Sequence, residues 1–247
     1  MRKVLQKIGN RYCRWQLERA LPGIHADLQR YAKGSTTTGT QAITMWMAVK
    51  RILKHRPSWI LESGTGSSTL ILAAAVHRLR REDPAYQGRI ISMESVPEWH
   101  ATAEANLPDS CRDVVEIVLG PREKFEIAMF RGFIHGNIPP HDYDFVLLDG
   151  PKFWDDRGLA FCADIFRAME LSRAPVIHGV VDGRASSVMV IQTIFGTAAA
   201  RYWHFRYAAG FSLPRIDFTD AEMITARDFR CSVTGRLNWV HFRRQRG

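Results

Sequence analysis

The sequence predicts an α/β fold, a parallel sheet covered by helices on both faces and preceded by a helical N-terminal extension. Three observations predict it. After Pro57, short apolar, β-branched runs alternate with helical segments, as strand–helix crossovers do. The strand runs are nearly continuous in apolar residues, as in strands buried on both faces. Four of the five runs also end in Gly, Asp or Glu, where open α/β sheets bind ligands. A chain of 247 residues suits one large α/β domain, with 46% apolar and 24% charged residues. That composition excludes whole-chain disorder, collagen and coiled coil. The longest apolar runs, Leu70–Val76 and the Thr-interrupted Ile43–Val49, are seven residues each. A bilayer span needs roughly 20.

The elements follow in order. Val4, Ile8, Tyr12 and Trp15 recur at helical spacing, so Arg2–Leu21 reads as an amphipathic helix that Pro22-Gly23 ends. Residues 1–56 carry 12 Lys/Arg against 2 Asp/Glu, whereas residues 57–247 carry 22 against 23. The net charge of +9 therefore belongs to the N-terminal quarter, which argues against a nucleic-acid surface over the whole body. The basic helix either packs on the main domain with a solvated face or meets anionic lipid headgroups or an acidic partner. Residues 1–34 form this extension and 35–247 the main domain. Ser35–Gly39 is a polar loop, and Thr40–His55 a helix with Ile43, Trp46, Val49 and Leu53 on one face.

Trp59-Ile60-Leu61 begins the sheet, followed by a helix at Ser68–Leu79, a strand at Arg89–Met93 and a helix at Pro97–Leu107. Val114–Leu119 is the third strand and Glu123–Phe130 a short helix. Tyr143–Leu148 is the fourth strand and Gly158–Leu171 a helix. Val176–Val181 is the fifth strand, with a helix at about Ser186–Phe195. Further strands fall around Tyr202–Tyr207 and Trp239–Phe242. The N-terminus is basic but has no apolar block of a secretory leader. Cys13, Cys111, Cys162 and Cys231 are widely spaced without a Cys-x-x-Cys pair, so a reducing, cytosolic setting is expected.

The strand ends carry the chemistry. The first runs into Glu62-Ser63-Gly64-Thr65-Gly66-Ser67-Ser68-Thr69, where glycines permit a tight turn and helix N–H groups favour an anionic group. Thr69 stands where a dinucleotide fingerprint has its third glycine, which disfavours a nicotinamide-dependent oxidoreductase. No Gly-Lys-Ser/Thr follows, so a triphosphate loop is excluded. The second strand ends in Glu94, a carboxylate that can accept both hydroxyls of a ribose. The fourth ends in Asp149-Gly150-Pro151-Lys152 and the fifth in Asp182-Gly183-Arg184. Turn chemistry alone is the competing account of both.

Together Leu61–Gly66, Ile91-Ser92-Met93-Glu94 and Asp144–Gly150 resemble the class I S-adenosylmethionine-dependent methyltransferases over roughly 40–195. The resemblance implies a Rossmann-like, doubly wound, seven-stranded sheet whose last strand is antiparallel. It implies S-adenosyl-L-methionine as cofactor, over Gly64 and Gly66, with Ser68 in the same turn. Glu62 would lie near the cofactor's amino group, Glu94 on its ribose, and Gly120-Pro121-Arg122 beside the adenine. Within the family the sequence is closest in look to catechol-type O-methyltransferases. Asp149, Lys152 and Asp182 match their pattern, and Gly183 replaces an Asn. That resemblance makes Lys152 and Asp149 catalytic and Asp149 also a cofactor neighbour. It makes Asp149 and Asp182 ligands of Mg²⁺, although the missing amide leaves direct substrate binding equally open.

The expected reaction is methyl transfer to an oxygen of a small molecule, sugar or glycan, in a cytoplasmic protein that can be peripheral to a membrane. Phe153, Trp154, His178 and Arg184 are candidates to line the acceptor pocket. RNA or DNA methylation is the enzymatic rival, but Asp149-Gly150-Pro151-Lys152 is not the Asn/Asp-Pro-Pro-aromatic motif of amino methyltransferases. A non-catalytic, partner-binding module is the other alternative.

Overall fold

A computed structural model describes residues 2–34, 41–127, 130–155, 158–203, 207–215, 224–226 and 240–242. The central sheet holds β1 (Trp59–Ser63), β2 (Arg89–Glu94), β3 (Val115–Leu119), β6 (Phe145–Leu148), β10 (Val176–Val181), β11 (Ala200–Tyr202) and β12 (Ala209–Pro214). Their order is β11-β12-β10-β6-β1-β2-β3. β1, β2, β3, β6 and β10 run parallel, while β12 is antiparallel to β10 on one side and to β11 on the other. The sheet is thus seven-stranded and mostly parallel, with the late strand β12 inserted antiparallel inside its edge.

Alternation along each strand splits the core in two. Ile60, Ile90, Phe145, Leu147 and Val180 face one layer, while Leu61, Ile91, Val146, Leu148 and Val181 face the other. The first layer is covered by α1 (Arg2–Ala20), α3 (Ala42–His55), α4 (Ser67–Glu82) and α5 (Pro97–Asn106). α2 (Ile24–Gly34) packs beside α1 and α4. The second layer is covered by α6 (Asp164–Leu171), α7 (Ala185–Phe195) and a β-hairpin. A short 3-10 turn, Asp109–Cys111, leads into β3.

Three expectations change here. The described residues of 123–130, all but 128–129, belong to that hairpin, β4 (Arg122–Ile127) and β5 (Phe130–His135), and not to a helix. Phe125 and Ile127 point inward while Lys124 and Glu126 point out, which is the two-residue period of a half-buried strand. The segment 158–171 is helical only from Asp164. Gly158–Leu159 (β8) pairs with Trp154–Asp155 (β7), and Phe161–Cys162 (β9) joins the edge of β5. The first residue of α6 is anchored to β5, since the Asp164 carboxylate accepts the backbone N–H of His135 at 2.8 Å and lies 2.6 Å from its Nδ1.

The third change concerns α1. Ile8, Tyr12 and Trp15 are 57%, 46% and 55% exposed. The buried face carries Gly9, Cys13, Leu17 and Ala20, and α1 packs with it on α3. Asn10 fixes the contact, donating to Gln41 Oε1 at 3.1 Å and accepting the Ile43 N–H at 3.3 Å. The polar loop expected at Ser35–Gly39 lies outside the described residues, as do 204–206 of the strand expected at Tyr202–Tyr207 and 239 of that expected at Trp239–Phe242. Of the first, Tyr202 ends β11, and of the second the described part is β14 (Val240–Phe242), which pairs with β13 (Ile224–Ala226). No described helix is long and apolar enough to cross a membrane.

Candidate functional site

At the carboxyl edge of the sheet β1 turns into α4 through Gly64, whose φ is +95°, a value L residues with side chains rarely adopt. A Cβ on Gly64 would meet the backbone of Asp149 and Gly150 at 3.2–3.3 Å, and one on Gly150 would meet Gly64 at 2.8 Å. The β1–α4 and β6 turns therefore touch backbone to backbone, so their ligand-facing groups are held in one place. Asp149 N–H donates to Ser63 O at 3.1 Å, which ties the β6 turn to β1, and Gly64 N–H donates to Met93 O at 2.9 Å, which ties the β1 turn to β2.

Glu62 is fully buried at the base of this turn. Its Oε2 accepts the hydroxyls of Ser92 at 2.6 Å and Thr69 at 2.7 Å, while its Oε1 has no partner. Burial pushes its pKa up to about 7, against the nearby hydroxyls of Ser68, Ser92 and Thr69, which favour the charged form. Thr69 also accepts the Gly66 N–H at 3.2 Å, so a threonine at the third-glycine position locks the turn onto Glu62. Ser68 is buried in the first turn of α4. Glu94 ends β2 and is 6% exposed. Its Oε1 accepts the N–H groups of Ser95 and Val96 at 2.7 and 2.9 Å, and its other oxygen has no partner among the described residues. Gly120 follows β3 and donates to Glu94 O at 2.8 Å, which brings Gly120-Pro121-Arg122 beside the end of β2.

Asp149 and Asp182 end β6 and β10 and lie together. Arg184 sits with them: its Nε is 3.0 Å from Asp182 Oδ1 and its Nη2 3.5 Å from Asp149 Oδ1. The same guanidinium also donates to the carbonyls of Asp149 and Pro151 and lies 4.7 Å over the Phe153 ring. Burial raises the Asp182 pKa, and the neighbouring Asp149 raises it further against the opposing pull of Arg184. Lys152 is not brought into this group. It is exposed, with Nζ 4.2 Å over the Trp154 ring. Arg122, 4.2 Å over Phe133, donates to the carbonyls of Lys152 and Trp154 and so holds that loop from the β3 side.

The Mg²⁺ expectation does not fit this arrangement. The place a divalent ion would take between Asp149 and Asp182 is held by the Arg184 guanidinium. Among the described residues no group of three or more His, Cys, Asp or Glu could hold a metal. His178 also lies elsewhere: it sits in the first half of β10, paired with Phe145 and stacked 3.6 Å on His55. Tyr207, which sequence reasoning did not single out, approaches Gly183, where an added Cβ would lie 3.6 Å from its ring. No sequence signal marks Tyr207. The Asp182-Gly183-Arg184 run does mark Arg184, though as a pocket residue and not as the group that neutralises two acids.

A scan against protein-family models finds no match, and neither does a search of curated proteins. Among solved structures the chain is similar to the SAH-bound methyltransferase PaMTH1 of Podospora anserina, at 13% identity and TM-score 0.40. That match covers 69% of this chain and 64% of the other, so the chain spans less than two thirds of the Podospora protein. A SAM-dependent methyltransferase from Aquifex aeolicus matches at 13% identity and TM-score 0.41, covering 68% and 89% of the two chains. A precorrin-6y C5,15-methyltransferase from Geobacter metallireducens matches at 13% and 0.42, covering 73% and 91%.

Proposed function

We propose that the chain is an S-adenosylmethionine-dependent methyltransferase acting on an oxygen of a small molecule or glycan. The observation that carries this reading is the unsatisfied Oε1 of Glu62, a buried acceptor at the foot of a Gly64–Gly66 turn. A buried polar atom without a partner is costly, and the ammonium of the cofactor's methionine part would satisfy it. Glu94 would hold the ribose through its free oxygen, one strand away. The turn's small residues would leave room for the chain between them, and Gly120 would border the adenine. Bound S-adenosylmethionine would supply an electrophilic methyl group on sulfur.

The chain's own residues would then position the acceptor and take its proton. Asp149 and Asp182 stand side by side at neighbouring strand ends, and Arg184 fixes both. They would accept the hydroxyl proton of the acceptor as it attacks the methyl carbon in line. The sequence expectation gave that task to Lys152. Its place over Trp154 suits a residue at the mouth that guides the acceptor, reaching the methyl group only if the 152–154 loop moves.

Calorimetric titration with S-adenosylmethionine, S-adenosylhomocysteine and NAD tests the reading. Micromolar binding of the two sulfur compounds is expected, and binding of NAD alone would replace it with the oxidoreductase. A screen of labelled methyl transfer across hydroxylated acceptors, RNA and protein then decides the acceptor class. The exposed Ile8, Tyr12 and Trp15 of α1 are flanked by exposed Lys7, Arg11, Arg14 and Arg19. This pattern supports a second part of the proposal, that α1 rests the protein on an anionic lipid surface.

A further inference from the structure

A concave space of about 490 Å³ lies between α3 and the β11–β12 edge of the sheet. Its charge is one-sided. Lys50, Arg51, Lys54 and His55 enter it from α3 and Arg201 from β11, and no acidic residue lines it among the described residues. Met47, Lys50, Arg51 and Lys54 share one helical stripe, so the fold turns the basic face of α3 toward the groove. Other cations have carboxylate partners, as Arg56 has Asp83 and Arg80 has Asp113. Lys50, Lys54 and Arg201 have no carboxylate partner among the described residues.

Arg51 is held in place at the floor, donating to Phe211 O and, at 2.7 Å, to Ser212 Oγ. Its Nε is buried without a partner. The stacked pair His55 and His178 lies beside it, and His178 Nδ1 meets Ser212 Oγ at 2.8 Å. Burial, then His55, Arg51 and Lys54, drive the His178 pKa down to about 4, and burial with Arg51 and Lys54 lowers His55. Burial, with the neighbouring cations adding to it, thus disfavours the charged form of both imidazoles. Aromatic rings complete the wall: Trp46 on the α3 side, Tyr202 and Trp203 on the other.

We infer that this groove binds a nucleoside polyphosphate, with the phosphates on Lys50, Arg51, Lys54 and Arg201 and the base against Trp46 and Tyr202. A planar guanidinium and lysines converging in a concave, half-buried space recognise phosphate oxygens. Flat rings at the rim give the base a stacking face. The volume suits a ligand of that size. Arg201 and Tyr202 belong to β11, whose pairing partner β12 also pairs with the carboxyl end of β10, and Tyr202 lies within electrostatic reach of Asp182, so the groove adjoins the candidate site.

The test is calorimetric titration of the full chain with ATP, adenosine and inorganic triphosphate, each with and without excess S-adenosylhomocysteine. ATP is expected to bind with S-adenosylhomocysteine present, and to weaken severalfold as salt rises from about 50 to 200 mM. Adenosine should add no binding under the same conditions, and triphosphate should bind more weakly than ATP. Lys54→Glu with Arg201→Glu should weaken ATP at least tenfold and leave the affinity for S-adenosylhomocysteine unchanged. Both side chains are exposed, and a thermal melt equal to that of the parent confirms that the fold is kept. Lys54→Gln with Arg201→Gln, a milder pair, should weaken ATP less but in the same direction. ATP that fails to bind, or that binds both variants like the parent, overturns the inference. Triphosphate binding as tightly as ATP removes the base from it. S-adenosylhomocysteine that fails to bind while ATP does overturns the methyltransferase proposal alone.

Discussion

At Glu62 burial and hydrogen bonding pull in opposite directions, and the balance can be read in pH. Its carboxyl goes from an ordinary 4.5 to about 7 on folding. A carboxyl raised in this way is more protonated in the folded chain, so stability is full below the unfolded value and falls as pH rises toward the folded one. The loss between about pH 4.5 and 7 is on the order of 3 kcal/mol. Glu62→Gln should remove that slope, so denaturant midpoints of the two proteins should converge or cross as pH rises; parallel curves would show that Glu62 is already charged. An ammonium against Oε1 favours the carboxylate, so S-adenosylhomocysteine binding at pH 6 should release up to one proton from the parent and none through Glu62→Gln. Calorimetry in buffers of different ionisation enthalpy measures this. At Glu94 the backbone contacts separate two effects. Glu94→Gln keeps an acceptor for Ser95 and Val96 and should weaken S-adenosylhomocysteine about tenfold by loss of charge, whereas Glu94→Ala should also cost about 1 kcal/mol of stability. For catalysis, Asp182→Asn should lower turnover by ~10²–10⁴ with cofactor affinity kept. Lys152→Met should lower it far less, and the reverse ranking would return the base to Lys152. The positions of Glu62, Glu94, Asp149 and Asp182 at strand ends are legible in the sequence because a strand end is a local feature. The clamp of Arg184 is not, since it joins two acids that only the sheet brings together.

At the scale of elements, the five parallel strands and the helices between them were legible because each is a long run with one period. The hairpin β4–β5 was missed because Glu123, Lys124 and Glu126 favour helix, while Phe125 and Ile127 already carried the strand period in only two apolar positions. The stretch before α6 was missed for a tertiary reason. Its residues are captured by the edge of β5, and the Ser187 hydroxyl accepts the Cys162 N–H at 3.0 Å. α1 shows a different failure. The stripe of Ile8, Tyr12 and Trp15 suggests a buried face, yet Gly9, Cys13, Leu17 and Ala20 are the residues buried toward the core. That outward stripe yields a prediction. Trp15 and Ile8 lie beside four exposed cations, and Trp15 is already ordered by Tyr12 at 6.2 Å and Arg19 at 5.7 Å. Burying two such side chains in an interface contributes several kcal/mol, so Ile8→Ser with Trp15→Ser should lower partition onto anionic vesicles by at least tenfold. The melting temperature should not move, because both are exposed in solution. Equal sedimentation of parent and variant with the vesicles would remove the lipid surface from the proposal.

Across the whole molecule, the sheet order is the feature least legible from residues. Local pattern gave the strands, and the antiparallel insertion was expected only through the resemblance, because strand order depends on contacts far apart in sequence. The division at residue 34 is the remaining expectation at this scale, and the core bears on it. Cys13, Leu17, Leu21 and Ile24 are buried in the same cluster as Ile43, Val49 and Ile60. Asn10 accepts an N–H in the first turn of α3, and Arg78 of α4 donates to Ala20 O at 3.0 Å. Removing residues 1–34 would uncover this side of α3 and lose the burial of those side chains, at roughly 1.5–3 kcal/mol for each large one. A domain of this size holds about 5–15 kcal/mol in all. The truncated chain is therefore expected to melt at least ten degrees lower than the full chain or to aggregate, and to bind S-adenosylhomocysteine only while folded. A truncation that keeps the parent's melting temperature would make residues 1–34 a separable extension. A second variant keeps the test decisive if the truncation cannot be purified. Leu17→Ala should by itself cost about 2–5 kcal/mol. If instead it costs nothing, α1 is docked without contributing to the core, and the charge it carries is free to act as a detachable basic arm.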